Sequence, residues 1–322
     1  MITRRDFIAM ATAGVAGTLG TLANGAPKPK RNLGIGLFSI QKMIDDDLPG
    51  TLKLLGQLGY QEVEFFGPYD FSAPAVIERW KPIAAQLGFK RNAFYGYAPK
   101  EVKKMLDDSG LKATSVHMDL ETLRTQMSLS LDQLSILGTT YVALPALNNL
   151  DERKTLDDYK RLADEFNSLG EKMSAYKMVF TYHNHGYEHA PKSNEIPFDV
   201  LISRTHPKHV AFEMDIFWLI AGGAKPEEYF KKYPGRFKLM HVKNAAEPIR
   251  FAGDGGTPDQ WMALFPRMSD PGEGVFDMPS IIKAAVHSGV EYFYVERDLA
   301  PDPQRTLKNS ASYLKPLLAY TD

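Results

Sequence analysis

The chain has 322 residues, 44% hydrophobic and 24% charged, with 18 Phe, 15 Tyr and 3 Trp; this ordinary globular composition supplies a large core and excludes intrinsic disorder and fibrous repeats. Lys plus Arg number 38 and Asp plus Glu 39, a formal charge of −1, so there is no global attraction to nucleic acid. Cysteine is absent, which excludes disulfides, thiolate metal sites, iron–sulfur clusters and cysteine nucleophiles, and leaves His, Asp, Glu and neutral oxygens as metal ligands.

Residues 1–31 read as an export signal and linker. Thr3-Arg4-Arg5-Asp6-Phe7 leads into a charge-free run, rich in Ala and Gly, that ends at Ala26 with small residues suited to cleavage. The paired arginines resemble the bacterial twin-arginine signal, which implies delivery of an already folded, cofactor-loaded protein to the periplasm. An uncleaved membrane anchor is the alternative, but glycines at 14, 17, 20 and 25 make a poor span. Setting aside these residues, with five basic and one acidic, leaves 33 against 38, a mildly acidic body of −5.

Residues 32–322 read as one domain of eight strand–helix units. Short apolar runs at 33–40, 62–67, 113–118, 141–144, 178–182, 210–214, 237–242 and 292–295 predict strands. Helical periodicity appears between them at 48–58, 101–106, 132–137, 156–173 and 279–286, and Gly59, Gly110, Gly138 and Gly289 supply left-handed C-caps. Strict alternation over eight units predicts a (β/α)8 TIM barrel, an α/β fold. Two stretches are longer than a barrel needs. One, near 70–98, holds an amphipathic helix at 75–87 and an aromatic strand-like piece at 94–97; the other, near 245–277, is a loop rich in Gly, Pro and Asp. Both are candidate lids, because insertions after strands lie on the catalytic face.

Polar residues collect at the strand ends. Strand five ends Tyr182-His183-Asn184-His185, with Glu188 and His189 just beyond; strand six ends Glu213-Met214-Asp215, strand seven His241-Val242-Lys243, and strand eight Glu296-Arg297-Asp298. Side chains at i and i+2 share a strand face, so His183 pairs with His185 and Glu213 with Asp215. Four apolar strands that all stop at His, Asp, His and Glu would bury isolated charges at several kcal/mol each, a cost that a shared divalent cation removes. Mixed imidazole and carboxylate donors suit Mn, Zn, Fe, Co or Ni rather than Mg or Ca. Glu64 after strand two and His117 after strand three are further candidates to line the site. Trp218, Tyr95 and Tyr97 are candidate platforms for a sugar ring, and Glu273 within Gly272-Glu273-Gly274 is a weaker candidate.

Taken in order, Val63-Glu64-Phe65-Phe66-Gly67, Ser115-Val116-His117, Tyr182-His183-Asn184-His185, Glu213-Met214-Asp215, Leu239-Met240-His241-Val242-Lys243, Gly272-Glu273-Gly274 and Val295-Glu296 resemble the sugar phosphate isomerase/epimerase family, a xylose isomerase-like group of TIM barrels. The resemblance spans most of residues 33–318. It implies one divalent metal ion, most often manganese, with Zn, Co or Fe as alternatives, held by Glu, Asp, His and Glu from strands five to eight. Asp215, His241 and Glu296 match the last three. At strand five the family's glutamate is replaced: His183 aligns with it, and His185 is the other candidate ligand. A neutral donor there raises the net charge of the site by one unit and strengthens its Lewis acidity. It also removes one of the two carboxylates that the sugar epimerases use. Members with His at this position resemble enzymes of keto-sugars and keto-inositols, dehydratases among them, and lyases of 3-keto-glycosides.

The expectation is therefore an exported, metal-dependent isomerase or epimerase. It acts on a small unphosphorylated sugar, keto-sugar or cyclitol through a metal-stabilised enediolate. His183, Asp215, His241 and Glu296 hold the metal; Glu296, His185, Glu64 and His117 carry the catalysis; Trp218, Lys243 and Tyr182 contact substrate. A lyase, dehydratase or hydrolase of 3-keto-glycosides, or a silent sugar-binding barrel, are the alternatives. The expected partner is a small carbohydrate, with no nucleic acid and no stable membrane span once the signal is removed; a homo-oligomer is left open. An endonuclease IV-like nuclease is disfavoured by the body charge.

Overall fold

The computed structural model describes residues 31–91 and 94–320; the export motif lies outside the described residues. Strands β1 (Asn32–Gly36), β2 (Glu62–Phe65), β3 (Lys112–His117), β4 (Tyr141–Leu144), β5 (Val179–His183), β6 (Val210–Asp215) and β7 (Phe237–Val242) are followed by two short strands, β8 (Asn244–Ala245) and β9 (Met268–Ser269), and by β10 (Tyr292–Val295). Eight of them close a parallel barrel in the order β1-β10-β7-β6-β5-β4-β3-β2, while β8 and β9 form a separate antiparallel ribbon. This is the (β/α)8 TIM barrel expected from the alternation of strands and helices.

The period of two sorts each strand into two faces. Val63, Phe65, Phe212, Met214, Met240 and Val242 point outward into the main core against the helices. Their neighbours Glu64, Glu213, His241 and Tyr294 point into the barrel. Strand β1 leaves interior space: a Cβ on Gly36 would lie 3.2 Å from the Glu296 carboxyl carbon, and one on Gly34 would strike the Tyr294 ring. The glycine C-caps hold, with left-handed φ at Gly59, Gly110, Gly138 and Gly289. The helix Leu156–Ser174 is opened by a capping box between Thr155 and Asp158.

Two local expectations fail. The run at 33–40 is strand only to Gly36 and then turns into a 3-10 segment, Leu37–Ile40, and the helix Gln41–Asp46; an unbroken apolar run does not distinguish a strand from a buried helical turn. Phe94, Tyr95 and Gly96 form a turn rather than a strand, because Tyr95 and Gly96 are consecutive left-handed residues, with φ of 53° and 86°. Around them the 70–98 stretch carries the helix Pro74–Leu87, none of whose residues is buried. The 245–277 stretch is more than a loop, holding β8, β9 and the helix Pro258–Met262. Among the described residues no helix is long and apolar enough to cross a membrane.

Candidate metal centre

The C-terminal ends of six barrel strands bring the polar side chains into two knots, one above the other. The upper knot holds His183 from β5, Asp215 from β6, His241 from β7, and Glu296 and Lys243 from just past β10 and β7. His183 Nε2 lies 3.3 Å from His241 Nδ1 and 3.4 Å from Asp215 Oδ2, and Asp215 Oδ2 lies 3.8 Å from His241 Nδ1. Glu296 Oε2 is in close contact with the same His241 nitrogen. Donors around a tetrahedral ion with bonds of about 2.1 Å stand roughly 3.4 Å apart, so this spacing fits one ion.

The donors also present the right lone pairs. His183 Nδ1 donates to the Pro145 carbonyl at 3.1 Å, which leaves Nε2 unprotonated and aimed into the knot. Asp215 Oδ1 accepts from the Trp218 backbone N–H at 3.0 Å, capping the helix Ile216–Ala221, and so fixes the direction of Oδ2. That Oδ2 is buried without a hydrogen bond, although Lys243 Nζ stands 2.9 Å away. Burial opposes charge on Asp215, but Lys243 and His183 hold its carboxyl well below the usual carboxylate range. Burial lowers His183 below its ordinary value, keeping it the neutral ligand form. His183, Asp215 and His241 fit a divalent ion of the Zn or Mn type, with the Glu296 carboxylate beside them.

Lys243 is the ammonium of this knot. It lies 2.9 Å from Asp215, 3.0 Å from Asp298 and 3.5 Å from Glu296, over the face of Trp218. Burial pushes Asp298 up to about 7 against the pull of Lys243, whereas burial of Glu296 is overridden by His241 and Lys243, which hold it well below the usual range.

One layer deeper stand Glu64 from β2, His117 from β3 and Glu213 from β6. His117 Nε2 is 3.1 Å from both carboxylates. His241 turns its Nε2 to this knot, 2.6 Å from Glu64 Oε2 and 3.3 Å from Glu213 Oε1, so a carboxylate orients the ring whose Nδ1 faces the upper knot. Burial opposes the charges, but the groups prevail over it: His117 is pushed up to about 10 by Glu64 and Glu213, and Glu64 is held well below the usual range by His117 and His241.

His185 sits beside the upper knot, its ring centroid 4.9 Å from that of His183. It is stacked on Trp218 and packed against Trp261 at 4.6 Å. Its backbone N–H is received by the buried Glu188, and its Nδ1 has no partner. Burial, with help from His183 and Lys243, holds this imidazole well below its ordinary value, so it is neutral and able to accept a proton. Trp261 comes from the 245–277 stretch, which covers this side of the barrel mouth through a small apolar cluster with Phe217, Trp218, Phe251 and Leu264. Arg153 fastens that stretch. Its Nε donates to the Leu147 carbonyl at 2.7 Å, its Nη2 to the Gly256 carbonyl at 2.6 Å, and its guanidinium lies 3.8 Å above the Tyr187 ring.

Of the residues singled out in the sequence, His183, Asp215, His241, Glu296, Lys243 and His185 meet in the upper knot or beside it, and Glu64 and His117 meet beneath it. Trp218 is only 1% exposed and lies behind His185 as a wall rather than as an open platform. Tyr182 points away from the barrel interior and donates to Glu188 at 2.6 Å, which takes it out of contact with the site. Tyr95 is buried, Tyr97 half-buried, and Glu273 pairs with Arg305 and Asn309 at the surface. Sequence reasoning passed over Trp261, which sits in a segment without periodicity; its aromatic character inside a candidate lid was the available signal. Glu213 was legible as the i−2 partner of Asp215.

His189, just past strand five, is a buried imidazole with Nδ1 near the Tyr229 hydroxyl and no partner on Nε2. Burial lowers it to about 4 from an ordinary 6.5. The unfolded chain therefore binds the proton first, and the stability from keeping His189 neutral is complete above pH 6.5 and lost as pH falls toward 4. The difference is about 3 kcal/mol. A His189→Gln variant should show a flatter loss of urea stability between pH 6.5 and 4; a slope equal to that of the unsubstituted protein would remove His189 as its source.

Residues 52–317 match the family model for the xylose isomerase-like TIM barrel. Over 152 residues the chain is 28% identical to inosose dehydratase of Lacticaseibacillus casei, a match covering 46% of this chain and 49% of that protein. The chain thus spans about half the length of the curated relatives it matches. Among solved structures it is similar to a sugar phosphate isomerase/epimerase from Parabacteroides distasonis ATCC 8503, with a TM-score of 0.68 and 23% identity over 92% of this chain and 97% of the other. It is also similar to the IOLI protein solved with a binding zinc atom, with a TM-score of 0.63 and 13% identity over 90% of this chain and 99% of the other. At these identities the structural likeness is one of fold.

Proposed function

The chain belongs to the xylose isomerase-like TIM-barrel family, and on that premise we propose that it is an exported, divalent-metal-dependent isomerase or epimerase acting on a small unphosphorylated sugar, keto-sugar or cyclitol. The observation that carries this reading is the convergence of His183, Asp215 and His241 donors within one ion's reach, with the Glu296 carboxylate against His241. His183, Asp215 and His241, with Glu296 beside them, would hold a divalent ion, manganese first and Zn, Co or Fe as alternatives, and that ion would supply positive charge against a substrate oxygen and so acidify the adjacent C–H. His185, neutral and with Nδ1 free, is the group suited to take that proton. Lys243 holds Asp215, Glu296 and Asp298 in one arrangement. The paired arginines at 4 and 5 support export to the periplasm, where unphosphorylated sugars are the better match.

A second reading is favoured by one observation. The relative named inosose dehydratase matches this chain, and a proton taken at the same place can be followed by loss of a β-substituent instead of reprotonation. The two are separated by product: an isomer or epimer in one case, an unsaturated ketone with release of water in the other.

The test is exchange of the substrate's α-proton with deuterated solvent, followed over a panel of keto-sugars and keto-inositols. A His185→Ala variant should exchange about 10²–10⁴-fold more slowly at unchanged metal content. Unchanged exchange would remove His185 from the chemistry, and binding without exchange in the unsubstituted protein would leave a sugar-binding barrel.

A further inference from the structure

Four aromatic rings line one rim of the barrel mouth and take no part in the two knots. Phe38 is the one residue of the 3-10 segment Leu37–Ile40 that is not buried, and Phe66 follows directly on the buried strand β2. Their rings meet edge to face with centroids 5.2 Å apart. Phe89 continues the strip 5.7 Å from Phe66 and 6.0 Å from Phe38, and Trp80, from the helix Pro74–Leu87, stacks on Phe89 at 5.8 Å. All four are half-buried. Phe38, Phe89 and Trp80 lie outside the main core, and Phe66 only borders it.

The topology sets this strip across the mouth from His185. In the closed barrel β5 is four strands from β1, and β6 four strands from β2, counted in either direction. Phe38 and Phe66 therefore stand at the rim opposite His185, which follows β5, and Trp218, which follows β6. Gly36 and Glu64, each two residues before one of these phenylalanines, are partners in the β1–β2 register, and a Cβ on Gly36 would lie 3.2 Å from the Glu296 carboxyl carbon. A sugar held at the upper knot with its reacting carbon toward His185 thus directs its far end at the strip.

The strip selects by what it lacks. Phe and Trp present hydrocarbon faces, and the charged neighbours Lys90 and Arg91 are engaged by Asp46 and Asp45. A second sugar ring laid there would strip water from its hydroxyls without replacing it, whereas an aromatic ring has no such hydroxyls to dry. The helix carrying Trp80 has no buried residue, so a ring seated against Trp80 supplies apolar burial that the helix otherwise goes without.

We propose that Phe38, Phe66, Phe89 and Trp80 form a subsite for an aryl aglycone. This rests on the reading of the upper knot as a sugar site and narrows the substrate to a sugar that carries an aromatic substituent.

Calorimetric titration of the metal-loaded full chain with phenyl β-glucoside, methyl β-glucoside and methyl β-cellobioside tests this. The phenyl glycoside should bind about 10–100-fold more tightly than the methyl glycoside, and the cellobioside no more tightly than the methyl glycoside. Trp80→Ala and Phe89→Ala should each weaken the phenyl glycoside by about 3–10-fold and leave the methyl glycoside unchanged. Equal binding of phenyl and methyl glycosides, heat from neither, a cellobioside as tight as the phenyl glycoside, or a phenyl preference that survives in both variants would overturn the subsite. The comparison of ligands on the unsubstituted protein needs no variant, so misfolding of a variant does not blunt it. Failure of the underlying reading shows elsewhere: a phenyl preference in a protein that takes up no metal would keep the subsite and remove the metal-dependent enzyme, while metal uptake and proton exchange with free keto-sugars but no phenyl preference would do the reverse.

Discussion

A His183→Ala variant is expected to lose the ion of the upper knot, with affinity for Mn(II) or Zn(II) falling by more than about 100-fold, beyond the 10–100-fold typical of residues that only support a ligand. Nothing nearby can replace the lost donor. Asn184 is turned the other way, exchanging hydrogen bonds with the Asp215 backbone. His185 is held between Trp218 and Trp261, with its backbone fixed by Glu188. Metal content measured by plasma mass spectrometry after dialysis against a competing chelator checks this. Retention of the upper ion would mean that His185, and not His183, is the strand-five ligand.

The second large effect is expected at Lys243. Its ammonium is 3% exposed and in contact with Asp215, Glu296 and Asp298. A Lys243→Met variant keeps most of the packing against Trp218 but leaves three buried carboxylates unbalanced. Breaking a buried ion pair from one side costs about 3–5 kcal/mol, and the loss should appear in urea unfolding of the metal-free protein. Divalent ion should restore part of it, about 2.7 kcal/mol at a hundredfold excess over the dissociation constant. Equal stability of variant and unsubstituted protein without metal would show that the carboxylates protonate instead of depending on the lysine.

Most of the barrel was legible because strand and helix periods differ and each unit repeats the contrast. The inward residues were legible for the same reason: the two-residue period puts His183 with His185 and Glu213 with Asp215, and the second pair spans the two layers of the site. What could not be read was set by contacts remote in sequence. The proton position on His183 depends on the Pro145 carbonyl, 38 residues away, and the neighbours of His185 include Trp261. Trp218 looked like a platform because its place beside a strand end was visible and its burial was not. The turn at 94–97 was misread because aromatic residues favour strands, while here Tyr95 takes a left-handed backbone beside Phe94, which packs on Phe65 and Tyr69 from another part of the chain.

Arg153 bears on how anything reaches the metal centre. Its bond to the Gly256 carbonyl ties that region to the loop after β4, while its bond to Leu147 and its stacking on Tyr187 hold the guanidinium in place for it. Breaking the one bond that crosses costs about 1.5–3 kcal/mol, and the burial of Phe251 and Leu264 against Trp218 adds to it. The Trp261 side of the mouth is therefore the stiffer one. The insertion after β2 carries the helix Pro74–Leu87, which has no buried residue to dislodge, and it is the cheaper part of the mouth to move. Ligand size should accordingly be set on the Trp261 side and exchange rate on the other.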